Sequence, residues 1–256
     1  MKHYLSVMML FARSTFYKLL GLLALAGIAE TVLFYDASGA SYSLENAFQL
    51  SHIPHVAGAV FLAWFLVLFA SPLRQAGFTL CRLSINRRQL YLCHTLYNLL
   101  ACVIFWAFQV CLLSGLFAWY GTQHTDPAIF SSQSILLAFY RNDFLHSLLP
   151  LADWTRYLRN LFLALIIGSS AAYPMTRWRT PGRSIVIWIV TLVCVWNFPA
   201  PTGSRSSDIV WIIMYLIIFA IQFYCVDEKA DLSASGASPA VPASPLFEEG
   251  GNGGAL

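Results

Sequence analysis

Long apolar runs alternate with short polar stretches along most of the chain. A membrane-spanning helix needs about 20 mostly apolar residues, and six segments of the sequence reach or approach that length. They are Leu19–Tyr35, Val56–Leu73, Leu92–Tyr120, Leu161–Thr176, Ser184–Ala200 and Ile209–Val226. The pattern therefore predicts an all-α polytopic membrane protein with six transmembrane helices.

Two flanking segments differ from the predicted spans. Residues 1–18 carry apolar side chains at helical spacing together with three Lys and Arg residues, which is typical of a helix lying on a membrane surface. We predict an amphipathic interfacial segment over residues 1–18, with a plain cytoplasmic leader as the alternative. The six-helix domain then covers residues 19–226. Residues 227–256 are rich in Ala, Ser, Pro and Gly, which predicts a disordered tail.

The longest segment between predicted spans covers residues 121–160. It mixes apolar and charged residues and is too polar for a span, so we expect short interfacial helices that cap the bundle. Asp153, Arg156 and Arg159 follow one another at intervals of three, so they are expected to form local ion pairs just outside the fourth span.

Composition supports the membrane assignment. The chain is 58% hydrophobic and 11% charged, whereas a soluble domain carries roughly 25% charged residues. The net charge of +3 is too small and too scattered to indicate a nucleic-acid partner. The six cysteines lie in or beside apolar runs, so we interpret them as small hydrophobic residues. We predict no metal and no cofactor.

The positions of the basic residues predict the orientation of the chain. Eleven of the 15 Lys and Arg residues fall in the segments that would share one side with both termini, and four fall on the other side. Cytoplasmic loops of membrane proteins carry an excess of Lys and Arg. The distribution therefore predicts that both termini are cytoplasmic, and an even number of spans agrees with both termini lying on the same side.

An arginine-rich stretch lies between the second and third predicted spans. Asn86 is a good N-cap residue, so a helix is predicted to begin at Arg87 and to continue into the third span. Arg87 and Arg88 would then occupy the first helical turn, where the helix dipole disfavours cations. Two explanations for these arginines remain: anionic lipid head groups, or a partner protein docked on the cytoplasmic face.

This stretch resembles a motif of a known family. Permease subunits of the second, exporter-like type of ATP-binding-cassette (ABC) transporter often carry Leu-Pro-Val/Ile-Ser/Thr-Arg between their second and third spans. The matching residues are Leu83, Ser84, Ile85, Asn86 and Arg87. Ser84 replaces the proline, and Asn86 replaces the Ser/Thr with another good helix cap. The family also has six spans, a surface helix at the N-terminus and both ends in the cytoplasm.

The resemblance implies a function and partners. Such permeases couple the segment between their second and third spans to a separate cytoplasmic ATPase subunit, and two six-helix halves rock to export a substrate. The implied partners are the ABC ATPase, a second permease half in a homo- or heterodimer, and membrane lipid, in a bacterial cytoplasmic membrane. The implied ATPase-coupling residues are Arg74, Arg82, Asn86, Arg87 and Arg88.

Several polar residues fall inside the predicted spans. Glu30 is the only acidic residue well inside one, and it is expected either to contact substrate or an arginine, or to extend towards the outer surface. The neutral polar residues are expected to form hydrogen bonds between helices or to line a translocation path. They are Asn98, Gln109, Asn197 and Gln222.

Enzymatic patterns are weak by comparison. The sequence lacks the GxxxxGK[ST] phosphate-binding loop, so any ATP hydrolysis is expected in a partner chain. Ser169 and Ser170 lie in a small-residue stretch that suits close helix packing, and His52 and His55 lack an evident third metal ligand. Two alternatives stay open: a membrane structural or sensing protein without transport activity, and an intramembrane enzyme.

Overall fold

The computed structural model describes residues 2–40, 43–75, 86–123, 132–150, 153–176 and 205–235. This part of the chain forms eight helices and no strand, which confirms the all-α prediction. The helices are α1 (Lys2–Ala40), α2 (Leu44–Leu50), α3 (Ile53–Gln75), α4 (Arg87–Gln123), α5 (Ser132–Arg141), α6 (Asp143–Leu148), α7 (Trp154–Thr176) and α8 (Arg205–Ser235).

Four of these helices are long and apolar enough to cross a membrane, namely α1, α3, α4 and α8. Large apolar side chains stay exposed along them, for example Ile28 at 66% and Ile217 at 53%. Soluble proteins rarely expose large apolar surfaces, whereas a lipid-facing surface is apolar. By length and composition, the chain is a membrane-embedded helical bundle.

The fourth and fifth predicted spans are not among these four helices. Helix α7 has 23 residues and contains the predicted fourth span, but it is not among the four most apolar helices. Arg156, Arg159 and Asn160 fill its first two turns and lower its hydropathy. The predicted fifth span, Ser184–Ala200, lies outside the described residues.

The first and last long helices each extend across a predicted segment boundary. Helix α1 runs for 39 residues, about 58 Å, without a break between residues 18 and 19. Val7 and Phe11 are buried against Leu90 and Cys93 of α4, so the predicted surface segment continues the first span and packs on the bundle. Helix α8 continues nine residues beyond residue 226, where the predicted six-helix domain ends, because the sequence Glu-Lys-Ala that follows favours helix. Residues 236–256 lie outside the described part.

Contacts between the long helices establish their relative directions. Helices α1 and α4 are parallel, because Phe11 stacks on His94 and Phe34 packs on Phe117. Helix α7 is antiparallel to α4, because Asn98 bonds Gly168 and Trp106 packs on Tyr157. We call the end of the bundle where α4 begins the Asn86 end, and the opposite end the Asp153 end.

Helices α7 and α8 run parallel to each other. Arg159 contacts Asp208 near the start of both helices, and Ser170 contacts Gln222 further along both. Thr176 and Arg205, which the 177–204 segment joins, therefore lie at opposite ends of the bundle. This is the placement that a six-span topology requires of the helices before and after its fifth span.

The two largest apolar clusters among the described residues lie in the middle of the bundle and towards one of its ends. The central cluster joins α3, α4 and α7 through buried residues such as Trp64, Phe105 and Ile167. The second cluster lies towards the Asp153 end, where Phe117 of α4 contacts Phe48 of α2 and Phe139 of α5. The short helices α2, α5 and α6 thus pack over the end of the long helices, and the 121–160 region contains two short helices as predicted.

Candidate functional site

The face of α4 that points into the bundle carries several buried polar residues between Tyr91 and Gln109. Tyr91, His94, Asn98 and Gln109 are each at most 1% exposed. The last three follow Tyr91 by 3, 7 and 18 positions. All four therefore fall on one side of a helix with 3.6 residues per turn. We call these residues and their polar contacts the polar seam; it also includes Glu30 of α1, Ser170 of α7 and Gln222 of α8.

Glu30 and Gln109 form the contact between α1 and α4 within the seam. Gln109 Nε2 donates a hydrogen bond of 2.8 Å to Glu30 Oε1, and both residues are buried. A close approach of the two helices makes this possible, because a Cβ added at Gly27 would lie only 3.3 Å from Phe108 Cζ. Glu30 therefore faces the bundle interior and does not extend towards the outer surface.

Asn98 connects α4 to α7. Its Nδ2 donates a hydrogen bond of 3.0 Å to the carbonyl oxygen of Gly168. A Cβ at Gly168 would lie 3.0 Å from the backbone nitrogen of Leu99 and 3.2 Å from the carbonyl oxygen of Thr95. Only glycine allows this approach, so the small-residue stretch serves close helix packing, as its composition predicts.

A chain of two hydrogen bonds joins three helices nearer the Asn86 end. The Tyr91 hydroxyl donates to Gln222 Oε1 at 3.2 Å, and Gln222 Nε2 donates to Ser170 Oγ at 3.0 Å. Ser169 Oγ donates to the carbonyl oxygen of Ile166 in its own helix. Within the described residues neither ring nitrogen of His94 has a hydrogen-bond partner, so His94 forms no catalytic pair with Ser169 or Ser170.

Charged residues gather where α7 and α8 begin. Arg159 Nη1 lies 2.9 Å from Asp208 Oδ1, with both side chains at most 5% exposed. Arg156 Nε lies 3.7 Å from Asp153 and 3.9 Å from Asp208, and Arg205 Nε lies 3.7 Å from Asp153. We call these five residues the charge cluster. The sequence predicts only local pairs among Asp153, Arg156 and Arg159; the contacts from Asp208 and Arg205 of α8 are an addition from the structure.

His146 borders the charge cluster. Its Nε2 lies 3.9 Å from an oxygen of Asp153. Burial lowers the pKa of His146 below its usual value, and nearby Arg156 lowers it further, while Asp153 and Asp143 oppose the shift. His146 is therefore neutral at neutral pH, and its contact with Asp153 is not an ion pair under those conditions.

The predicted coupling segment is described only in part. Asn86 Oδ1 accepts a hydrogen bond of 3.3 Å from the backbone N–H of Arg88, and the helix begins at Arg87, which confirms the predicted cap. The Arg88 guanidinium lies 5.8 Å from the ring centroid of Phe223 in α8, so Arg88 takes part in packing between helices. The side chains of Arg74 and Arg87 and the whole of Arg82 lie outside the described residues, as does Asn197 of the predicted polar path.

Metal binding finds no support in the described part of the chain. No group of three His, Cys, Asp or Glu residues there is placed to hold an ion. His52 and His55 are exposed, and their ring centroids lie 5.9 Å apart. Four cysteines are described and free; Cys102 is buried, whereas Cys111 is exposed on α4.

Comparison with known proteins adds no identification. No protein-family model matches the chain, and no significant match was found among curated proteins or solved structures.

Proposed function

We propose that the chain is the transmembrane permease subunit of an ABC transporter, which exports a substrate with ATP hydrolysed by a separate ATPase subunit. The observation that carries the proposal is the start of α4. Asn86 caps this helix and Arg87 opens it, at the positions where the resembling permease motif has Ser/Thr followed by Arg. In this proposal the stretch before α4 docks on the ATPase.

The geometry of α4 gives the proposal a mechanical route. The helix is 37 residues long, about 55 Å, and it is continuous from the Asn86 end to Gln123. Its polar face contacts α1, α7 and α8 through Gln109, Asn98 and Tyr91 respectively. A displacement of the helix start would therefore be transmitted along one rigid element to every contact of the polar seam.

The strength of these contacts suits a bundle that rearranges. Hydrogen bonds between membrane helices contribute about 0.6 kcal/mol each on average, so the seam can exchange partners at low cost. Asn98 Oδ1 has no hydrogen-bond partner among the described residues, and it is an acceptor that a polar part of a substrate can use. An apolar bundle with few charges suits an amphipathic substrate such as a lipid or a peptide.

The proposal extends to assembly and location. Two such chains, or this chain and a related one, would pair above two ATPase subunits in a bacterial cytoplasmic membrane. The excess of Lys and Arg at the Asn86 end supports a cytoplasmic location for that end.

Affinity purification tests the coupling. We would purify the tagged chain from gently solubilised membranes and identify co-purifying proteins by mass spectrometry. The test variant carries Arg82→Glu and Arg87→Glu, and it leaves Arg88 intact because that residue packs on Phe223. The matched control is Arg141→Glu, an exposed arginine on α5 that contacts Glu45 at 3.5 Å and lies outside the coupling segment.

We expect an ABC ATPase subunit to accompany the unchanged chain and the Arg141→Glu control, and to be lost from the double variant. If the folded, unchanged chain brings down no ATPase in the presence of nucleotide, the permease proposal fails. A structural or sensing protein whose arginines contact only lipid then becomes the better description.

A further inference from the structure

The Glu30–Gln109 contact has an unusual balance of donors and acceptors. Gln109 Nε2 donates to Glu30 Oε1, but Glu30 Oε2 and Gln109 Oε1 have no hydrogen-bond partner among the described residues. Glu30 is 0% exposed and Gln109 is 1% exposed. An ionised carboxylate and an amide oxygen are both pure acceptors, so with an ionised Glu30 two buried acceptors remain that cannot satisfy each other.

A single proton on Glu30 removes this mismatch. A neutral carboxylic acid has one O–H donor, and through Oε2 it can donate to Gln109 Oε1 while Oε1 accepts from Nε2. The acid and the amide then form a cyclic pair with two hydrogen bonds, in which Glu30 Oε2 and Gln109 Oε1 are both satisfied. If the amide were rotated by half a turn, its oxygen would face Glu30 Oε1, and that contact would also require a proton.

Within the part of the chain that the structure describes, no cation lies beside Glu30 to compensate an ionised carboxylate. Along α1 the nearest charged residues are Lys18 and Asp36, about 18 Å and about 9 Å away along the helix axis. On α4 the nearest titratable imidazole belongs to His94, 15 positions from Gln109 and about 22 Å along the axis. On α2, Glu45 contacts Arg141, and on α3, His55 is exposed with its ring against His52. A lone charge in a membrane-embedded bundle is costly.

We propose that Glu30 and Gln109 form a proton-binding site inside the bundle, in which a neutral Glu30 carboxyl closes a two-bond pair with the Gln109 amide and joins α1 to α4. The contact between these helices depends on that proton. Separation of α1 from α4 would expose the carboxyl to a new environment and allow the proton to leave. The site is independent of the transport proposal, because it rests only on the chemistry of the two side chains.

Infrared difference spectroscopy of the purified chain in lipid bilayers at neutral pH tests the site. The unchanged chain is compared with Glu30→Gln, which keeps the size of the side chain and can still form two hydrogen bonds with Gln109. The matched control is Asp36→Asn on the same helix, where the carboxyl is exposed. A third variant, Gln109→Leu, removes the amide and keeps Glu30.

We expect Glu30→Gln to lose the C=O stretching band of a protonated carboxyl, a band that shifts down when the protein is prepared in D₂O. Asp36→Asn should lose only carboxylate bands. Gln109→Leu should move the protonated carboxyl band to higher frequency, because the Glu30 carboxyl loses its hydrogen bonds to the amide. The Gln109→Leu measurement still tests the proposal if the Glu30→Gln variant does not fold. Loss of a carboxylate band in Glu30→Gln, or an unshifted carboxyl band in Gln109→Leu, overturns the proposal.

Discussion

The polar seam and the charge cluster both bury polar groups between helices, but with opposite chemistry. The seam lies along α4 and uses amides and hydroxyls, such as Asn98 and Gln222, in separate hydrogen bonds. The cluster lies where α7 and α8 begin, and it uses ionised groups that share partners, as Asp208 does between Arg156 and Arg159. Charges are costly at the centre of a bilayer and are tolerated near its faces, which explains this division.

The division also separates firm contacts from exchangeable ones. Removing one member of a buried ion pair leaves the other charge uncompensated, whereas removing one interhelical hydrogen bond in a membrane costs much less. The bundle is therefore held most firmly at the start of α7 and α8. Along α4 the contacts are weak enough to be remade, which is what the proposed permease function would require of this helix.

The largest expected effect is at the charge cluster. Asp208→Ala leaves the buried Arg159 guanidinium without its 2.9 Å partner, so we expect a loss of about 3–5 kcal/mol in the free energy of unfolding. The free energy of unfolding of each variant is measured in lipid–detergent mixtures. The control is Asp208→Leu combined with Arg159→Leu, which removes both charges and should lose less than the single change. Equal losses would show that packing, and not the charge, is responsible.

A smaller effect is expected where α7 approaches α4. Gly168→Ala forces a methyl group against the backbone of Leu99 and Thr95, and backbone atoms cannot move aside cheaply. We expect a loss of about 1–3 kcal/mol. The control is Gly115→Ala on α4, where a Cβ meets nothing within 4 Å, and which should be neutral or slightly stabilising. If the two alanines behaved alike, the close packing of α4 on α7 would be wrong.

The seam itself should respond weakly. Gln222→Leu removes the partner of both Tyr91 and Ser170, and we expect a loss of about 1 kcal/mol. A double-mutant cycle with Tyr91→Phe isolates the bond between α8 and α4, with an expected coupling of about 0.6 kcal/mol. A coupling as large as that of the buried ion pair would contradict the contrast between the two regions.

The smallest effect concerns pH. Because the pKa of His146 is lowered in the folded state, its contribution to stability is complete above the unfolded pKa of about 6.5. It is lost as the pH falls from there through the folded pKa, because the unfolded chain takes up the proton first. Unfolding measured across this range should show the decline, and His146→Phe should flatten it. A decline that persists in the variant would assign the effect to another group.

Local features were predictable from the sequence and distant pairings were not. The start of α4 at Arg87 follows from the cap chemistry of Asn86, which acts within one helical turn. Glu30 and Gln109 are both evident as polar residues in apolar runs, but they are 79 positions apart and no local rule pairs them. Asp208 lies at the edge of a span, where its sequence context does not reveal Arg159 as its partner.

The continuity of α1 was missed for a related reason. An amphipathic pattern describes a helix with one apolar face, but it does not say whether that face meets lipid or protein. Phe11 packs on His94 of α4, and this contact depends on the tertiary arrangement.

Site-specific photo-crosslinking tests the central claim, that the Asn86 end couples to an ATPase, most directly. A photoreactive residue would replace Arg87 at the start of α4 or, as the control, Gln123 at the end of the same helix, where the side chain is exposed. We predict that irradiation of intact cells crosslinks position 87 to an ABC ATPase subunit and leaves position 123 without that product. Crosslinks to the ATPase from both positions, or from neither, would contradict the account.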